Sequence, residues 1–386
     1  MVTTKTADSV LKSYYLDVVS DQLNKTINPL FAAIKQTTAD VWGRDVRKVV
    51  RYGVNGGIGA GDEDGDLPKA NGNNYVQFVS TLKNLYGTIE ITDKAIRASA
   101  NNEGAFVSIL NDEMEGLVKS SAFNFGRMLF GNGTGRLATA STLDGTDKHK
   151  FLVDSVQNVQ EGMYVDLVNL QGDLVESGVP VLAVDRTKKM IHVGSKTEPT
   201  APGLAFYLQG SRDKEITGLR AIFGNGDLYG VNRADNPWLK PFTISGSDGL
   251  TEEKILTVLD MVEERSGNRP NFIVCSWGVR RVLYKLLSTN KRVETLELEG
   301  GYRAMSFNGI PVVADRFCPT GTMYLLNTDD FALHQLCDWQ WLEGEDGKIL
   351  KQIPGKPVYT ATLVKYAELM CYRPCGQASI NEIREI

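Results

Sequence analysis

Between residues 46 and 92, two strand-like runs flank a long segment dense in glycine and acid. No other feature limits the folds open to this chain so strongly. Val46–Tyr52 is β-rich. Tyr75–Leu85 follows the glycine segment, with Val76, Phe78 and Leu82 alternating against Gln77 and Lys83, and Gly87–Thr92 alternates again. Residues 53–74 hold Gly53, Gly56, Gly57, Gly59, Gly61, Gly65 and Gly72 together with Asp62, Glu63, Asp64 and Asp66. Loops beyond about 12 to 15 residues inside compact domains are usually functional or disordered, and strand-like legs make this one an arm. A hairpin of that reach cannot bury both faces on its own body. With no other partner in view, a second copy of the chain is the simplest surface for it. The arm therefore points to a self-assembling protein.

Directly after the arm the apolar period changes to 3.6. From about Glu103 to Phe130, Phe106, Leu110, Met114, Leu117, Val118, Ser121, Phe125, Met128 and Leu129 fall on one side, and Asp112, Glu115 and Lys119 on the other. A helix of that length spans roughly 40 Å. Phe123 and Phe130 lie off the stripe, so a second face is expected to be partly covered, and Gly131-Asn-Gly-Thr-Gly135 stops the helix. Upstream, residues 8–38 read as interrupted helix. Asp8 or Ser9 is the cap, Val10, Leu11, Tyr14, Tyr15, Val18 and Val19 form the stripe, and a second piece begins near Pro29. It is either a helix docked on its own domain or an arm reaching a neighbour.

Residues 144–218 read as a small inserted β-unit, a compact barrel or sandwich. Its short strands are Met163–Asn169, Gly178–Asp185 and Lys189–Gly194, with turns at Gln171-Gly172 and Arg186–Lys189. An irregular segment, Tyr229–Trp238, precedes a helix over Thr251–Arg265 for which Ser247 or Asp248 can serve as cap. A buried-type strand, Asn271–Ser276, and a helix, Trp277–Ser288, come next, then strands at Ile310–Ala314, Met323–Asn327, Ala332–Leu342 and Tyr359–Tyr372. The class is α+β with an interrupted order, not a doubly wound βαβ sheet.

The 386 residues suffice for two or three domains. A formal net charge of −5, with Lys and Arg interspersed among acids, argues against specific DNA or RNA reading. No apolar run approaches the roughly 20 residues that span a bilayer, and Met-Val-Thr-Thr-Lys lacks the apolar stretch of a signal peptide. Five cysteines, only Cys371 and Cys375 close together, fit free buried thiols in a reducing compartment.

Candidate chemistry thins out on inspection. The glycines at 53–61 are followed by acids instead of Gly-Lys-Ser/Thr, so they do not cradle phosphate. Asp62, Asp64 and Asp66 resemble a calcium loop, but the Gly is at the wrong offset and Asn73 stands where the bidentate Glu belongs. A solvated tip is the plainer reading, with weak cation binding the alternative. His149, His192 and His334 have no metal-ligand spacing, Cys371 and Cys375 lack a second ligand pair, and no Gly-x-Ser-x-Gly is present. No catalytic residue, cofactor or metal is expected, and the chain reads as a non-enzyme.

The order of these pieces, with several local phrases, resembles the major capsid proteins of tailed double-stranded DNA bacteriophages, whose fold is shared with herpesvirus shell floors and encapsulins. The phrases are Tyr86-Gly-Thr-Ile-Glu-Ile-Thr-Asp-Lys94, Gly230-Val-Asn-Arg233 with Asn236-Pro-Trp238, Asn308-Gly-Ile-Pro-Val-Val-Ala-Asp315, Gly321-Thr-Met-Tyr-Leu-Leu-Asn327 and Tyr372-Arg-Pro374. The resemblance implies an N-terminal arm (1–45), an extended loop (46–98), a peripheral domain with a spine helix (99–143) and the inserted β-domain (144–218). It implies next an axial domain (219–330), peripheral return strands (331–372) and a C-terminal return to the axial domain (373–386).

On that resemblance the chain forms pentamers and hexamers of an icosahedral shell around packaged double-stranded DNA. The implied partners are other copies of itself, a portal, a decoration protein and non-specific contact with DNA, with no membrane. No long charged helical segment precedes the arm, so a separate scaffolding protein is implied. The virion is the implied location, with assembly in the bacterial cytoplasm. Gly57, Asp62, Asp64, Asp66 and Lys69 are the candidate inter-subunit residues. Some relatives cross-link a loop lysine to a neighbour, a role nothing in the sequence assigns to Lys69. The alternatives are an encapsulin-like compartment holding enzyme cargo and a soluble enzyme with a β-insert.

Overall fold

The computed structural model describes residues 28–95, 103–144, 147–196, 202–289, 294–297, 303–344, 347 and 349–385. The apolar stripe expected at residues 10–19 lies outside them. The described chain opens with a short helix, Pro29–Ala33. Proline is preset for its first turn, and Asn28 Oδ1 accepts from Phe31 N at 3.3 Å. The helix expected to continue to residue 38 ends here. Ile34 is extended, and β1 (Lys35–Thr37) instead pairs in parallel with residues 332–334, where a sheet edge offers its backbone a ladder.

β2 (Val41–Trp42) turns into β3 (Asp45–Tyr52), and β4 (Asn74–Thr81) returns antiparallel, Asp45 opposite Thr81 and Tyr52 opposite Asn74. The single strand expected over 75–85 breaks at Leu82, whose N–H donates to Arg44 O at 2.8 Å. β5 (Lys83–Thr92) then buries Leu85, Ile89 and Ile91 on one side. The long helix follows, Glu103–Leu129. Met114, Val118, Ser121, Phe125, Met128 and Leu129 are buried, as are Phe123 and Phe130, so more than one face is covered. Glu115 and Lys119 pair at 2.5 Å on its solvent side. Gly87 lets the helix lie close on β5, since a Cβ there would come within 2.9 Å of Leu117 Cδ1.

Gly131 N–H closes the last helical turn on Met128 O, and Gly133 and Gly135, both at positive φ, redirect the chain into a strand. β6 (Arg136–Asp144), β7 (Asp147–Val153), β8 (Tyr164–Val168), β9 (Leu174–Asp185), β10 (Met190–Val193) and β11 (Ala205–Leu208) close a barrel in the order β10-β7-β6-β11-β8-β9. It has its own core, centred on Phe151 and Phe206 with ring centroids 5.5 Å apart. The barrel begins at Arg136, inside the stretch assigned above to the peripheral domain. Beside Leu137, Ala138 and Ala140 fill it with small side chains that give little hydrophobic signal.

After a short helix, Leu219–Ile222, and a 3₁₀ turn, Pro237–Leu239, comes β12 (Phe242–Ser245), and then a helix, Glu252–Ser266. Its cap is Thr251, whose Oγ1 accepts from Lys254 N at 3.2 Å. Ser247 and Asp248 do not serve, because Asp248 takes the Lys254 ammonium and Ser247 N donates to Ser245 Oγ. β13 (Phe272–Cys275), a helix (Trp277–Thr289), β14 (Glu294–Glu297), β15 (Arg303–Phe307), β16 (Ile310–Ala314) and β17 (Met323–Leu326) follow. β18 (Phe331–Trp341), β19 (Lys351–Gln352), β20 (Val358–Cys371) and β21 (Ala378–Asn381) complete the chain.

Two sheets organise this half. In the first, the order is β12-β21-β17-β13-β16-β15-β14. Its central β13 is buried on both faces: Ile273 and Cys275 join a core with Val258, Val262, Val279 and Leu283 of the two later helices, while Phe272 and Val274 join the core of the long helix. The second is built on β20, which pairs with β5 from Val358 opposite Thr92 to Ala367 opposite Lys83, and with β18 on its other edge. All five cysteines are free; Cys275, Cys318 and Cys371 are buried, and Cys337 and Cys375 partly so. Among the described residues no helix is long and apolar enough to cross a membrane.

Candidate assembly surface

The arm is anchored at one end only. At its base Val46 and Phe78 are fully buried, and the Phe78 ring lies 5.4 Å from that of Tyr229. Val79 N donates to Tyr229 O at 3.0 Å, and Tyr52 stacks on Trp238 with centroids 4.5 Å apart and planes nearly parallel. The irregular segment 229–238 is thus the arm's pedestal. Tyr229 holds a positive φ because its hydroxyl is fixed on both sides, donating to Leu369 O and accepting from Cys371 N, each at 3.0 Å. Burial drives that phenol far above its usual range. Arg233, 1% exposed, donates to the carbonyls of Ala221 (2.7 Å), Ile222 (2.8 Å) and Gly224, and so satisfies the end of the short helix.

Beyond the base the covering stops. Val49 and Tyr75 on the legs are exposed, and so is Trp42 beside them, at 69%. The tip runs out as a narrow ribbon. Asn55 Nδ2 donates to Asn73 Oδ1 at 3.3 Å, and Asn55 Oδ1 accepts from Gly57 N at 2.8 Å. Gly57 sits at the waist, where a Cβ would approach Asn71 N to 3.1 Å and push the legs slightly apart. The ribbon reverses at residues 62–65, Gly65 N donating to Asp62 O at 3.2 Å.

All five sequence candidates therefore lie on one exposed ribbon. Gly57 is at its waist, Asp62 and Asp66 flank the reversal, Asp64 is at its apex, and Lys69 is on the returning leg. Among the described residues the side chains of Asp62, Asp64, Asp66 and Lys69 have no hydrogen-bond or ion-pair partner. Ile58 and Leu67, 81% and 89% exposed, face solvent on opposite legs, an unfavourable placement unless another surface covers them. Trp42, Ile58, Leu67 and Tyr75 were not singled out in the sequence. The signal available was apolar residues on both legs of a segment otherwise polar.

The histidines stay apart. His334 contacts Ala39 O through Nδ1 at 2.8 Å and the Tyr372 hydroxyl through Nε2 at 2.7 Å, which ties residue 39 to β18; burial lowers its pKa. His149 and His192 lie in the barrel strands β7 and β10. Among the described residues no group of three or more His, Cys, Asp or Glu side chains is placed to hold a metal ion, the tip acids included.

No protein-family model matches the sequence, and no curated protein matches it. Solved structures do match. The capsid asymmetric unit of cyanophage A-1(L) superposes with a TM-score of 0.56 at 13% identity, covering 92% of this chain and 93% of that one. A chain of the holo-SrpI encapsulin complex from Synechococcus elongatus gives 0.46 at 10% identity, covering 93% and 89%. Mycobacterium phage Bobi gives 0.47 at 9%, covering 92% and 91%. The cyanophage comparison shows the fold: this chain has the tailed-phage capsid fold, α+β, with an extended loop, a long spine helix and an inserted β-barrel.

Proposed function

We propose that this chain is a structural subunit that assembles, through pentamers and hexamers, into an icosahedral shell enclosing double-stranded DNA. One observation carries the reading: an arm docked at its base on residues 229–238 leaves Val49, Ile58, Leu67 and Tyr75 uncovered on a fold built the same way as a cyanophage capsid subunit. Rotationally closing heterologous contacts leave such a surface on every free subunit and cover it in the ring. Many modest contacts per subunit then act together at high effective concentration.

On this reading residues 46–98 are the loop that meets a neighbour, with Gly57, Asp62, Asp64, Asp66 and Lys69 at the contact. Glycine at the waist lets one sequence adopt the several loop angles that non-identical lattice positions need. A separate scaffolding protein, a portal and a decoration protein are the further partners. The shell forms in the bacterial cytoplasm and ends in the virion. The chain serves structure and not catalysis, and its net charge of −5 suits a wall that touches packaged DNA weakly.

Deleting residues 53–74 tests the proposal. The expected product is a folded, soluble subunit that forms no closed particles by electron microscopy, whereas particles like those of the intact chain would remove the arm's role. Nuclease-protected DNA inside native particles separates the phage shell from an encapsulin-like compartment, which would contain protein cargo instead.

A further inference from the structure

Where the barrel, the end of the long helix and the seven-stranded sheet meet, they enclose a cleft of about 650 Å³. Its wall carries Arg136 from β6, Lys189 from the turn before β10, Arg220 from the short helix and Arg316 after β16. All four are exposed, and among the described residues none has an ion-pair partner; Arg316 lies over the rings of Phe123 and Phe317, at 4.9 and 5.2 Å.

Three of the four acids of the cleft are already engaged through their side chains, and Asp315 accepts only from Phe317 N through Oδ1. Glu215 is held by Arg127, Glu385 accepts from Ser276 Oγ and from Gly321 N, and Asp154 accepts from Thr139 N and Ser155 N. Three buried polar atoms of the lining residues lack any partner: Arg127 Nε, Asn158 Oδ1 and Asp315 Oδ2.

The chain itself carries a group of the matching chemistry. The turn at the arm's tip bears Asp62, Glu63, Asp64 and Asp66, all exposed and with no side-chain partner among the described residues, so it does not fill the cleft of its own chain. Ile58 and Leu67 beside it match the apolar part of the cleft, Phe130, Leu137 and Phe317.

We infer that the acidic turn of one copy's arm seats in the arginine-lined cleft of another, its carboxylates meeting Arg136, Lys189, Arg220 and Arg316. This rests on the shell reading above and specifies where the arm lands.

Charge reversal on each side tests it. Arg136→Glu with Arg220→Glu, and separately Asp62→Lys with Asp64→Lys, should each lower particle yield about tenfold or more. The chain carrying all four changes should recover most of that yield. Single-side variants that assemble normally, or a combined variant no better than either, would overturn the inference. A photo-crosslinking residue in place of Leu67 in the otherwise unaltered chain gives a reading independent of charge. Cross-links to peptides around 127–137 or 315–320 of a second copy support the cleft, and cross-links elsewhere reject it. If the unaltered chain forms no particles at all, the shell reading itself falls; if it forms them without rescue or cleft cross-links, only this landing site does.

Discussion

Arg127 and Glu215 stand 88 residues apart, yet their side chains meet in a two-pronged ion pair, Nη1 to Oε2 at 2.9 Å and Nη2 to Oε1 at 2.5 Å, with neither more than 3% exposed. One lies in the last turn of the long helix and the other just after the barrel, so the pair clamps the chain where it enters and leaves that unit. Glu215→Ala strands a buried guanidinium and should cost about 3–5 kcal/mol of stability, read from the midpoint of urea unfolding. Removing both charges, with Arg127→Met and Glu215→Leu, should cost less than the single change, because no unpaired charge remains.

The arm's apolar residues should separate folding from assembly. Val49→Asp, Ile58→Asp and Leu67→Asp alter exposed positions, so each should shift unfolding by no more than about 0.5 kcal/mol. Together they should abolish particles in a sedimentation assay, since charges would then be desolvated at the contact. Particles of normal yield would mean that this face is not covered in the assembly.

Glu368 gives a pH dependence with a definite sign. It is fully buried on β20, and burial raises its pKa from 4.5 to about 7, against the N–H bonds from Thr217 and Leu369 and the charge of Lys83. A carboxyl raised in the folded state contributes stability that is complete below 4.5 and is lost as the pH rises through about 7. Asp315, raised to about 6 by burial, acts in the same direction. The melting temperature should therefore fall between pH 5 and pH 8. Glu368→Gln, which keeps an acceptor for Thr217 N, should flatten that fall and gain on the order of 2 kcal/mol at pH 8. An unchanged pH profile in this variant would show that Glu368 is not the group responsible.

Gly218 fixes the seat of the long helix's end. A Cβ there would lie 2.6 Å from Gly131 O and 2.7 Å from Leu129 O, and closer still to Met128 O. Backbone cannot give way as a flexible side chain can, so Gly218→Ala should destabilise by about 1–3 kcal/mol, measured by chemical denaturation. Gly226→Ala, where nothing lies within 4 Å, is the control and should be nearly neutral.

The elements that read clearly in the sequence are those with a strong period. The 3.6 repeat from Met114 to Leu129 survives because its stripe is buried even though a second face is partly covered too, and the alternation of Val46–Tyr52 because the strand's burial alternates. What did not read is short or filled with small residues. β6 packs Ala138 and Ala140 into the barrel, β12 and β21 are four residues each, and β1 exists only because residues 332–334 supply its partner. The tip could be located from its glycines and acids. Which apolar residues of the arm stay uncovered could not, because that depends on Tyr229 and Trp238 arriving beneath the legs from more than 140 positions away in the chain.

The barrel's first and last strands lie side by side, Tyr207 opposite Arg136. The polypeptide therefore departs and rejoins its host through a single doorway. Whatever is enclosed between those two points can be shortened, enlarged or exchanged without re-threading the sheets behind it. Insert and framework are separately heritable in such a design, so the barrel can diversify while the arm and the long helix keep their geometry.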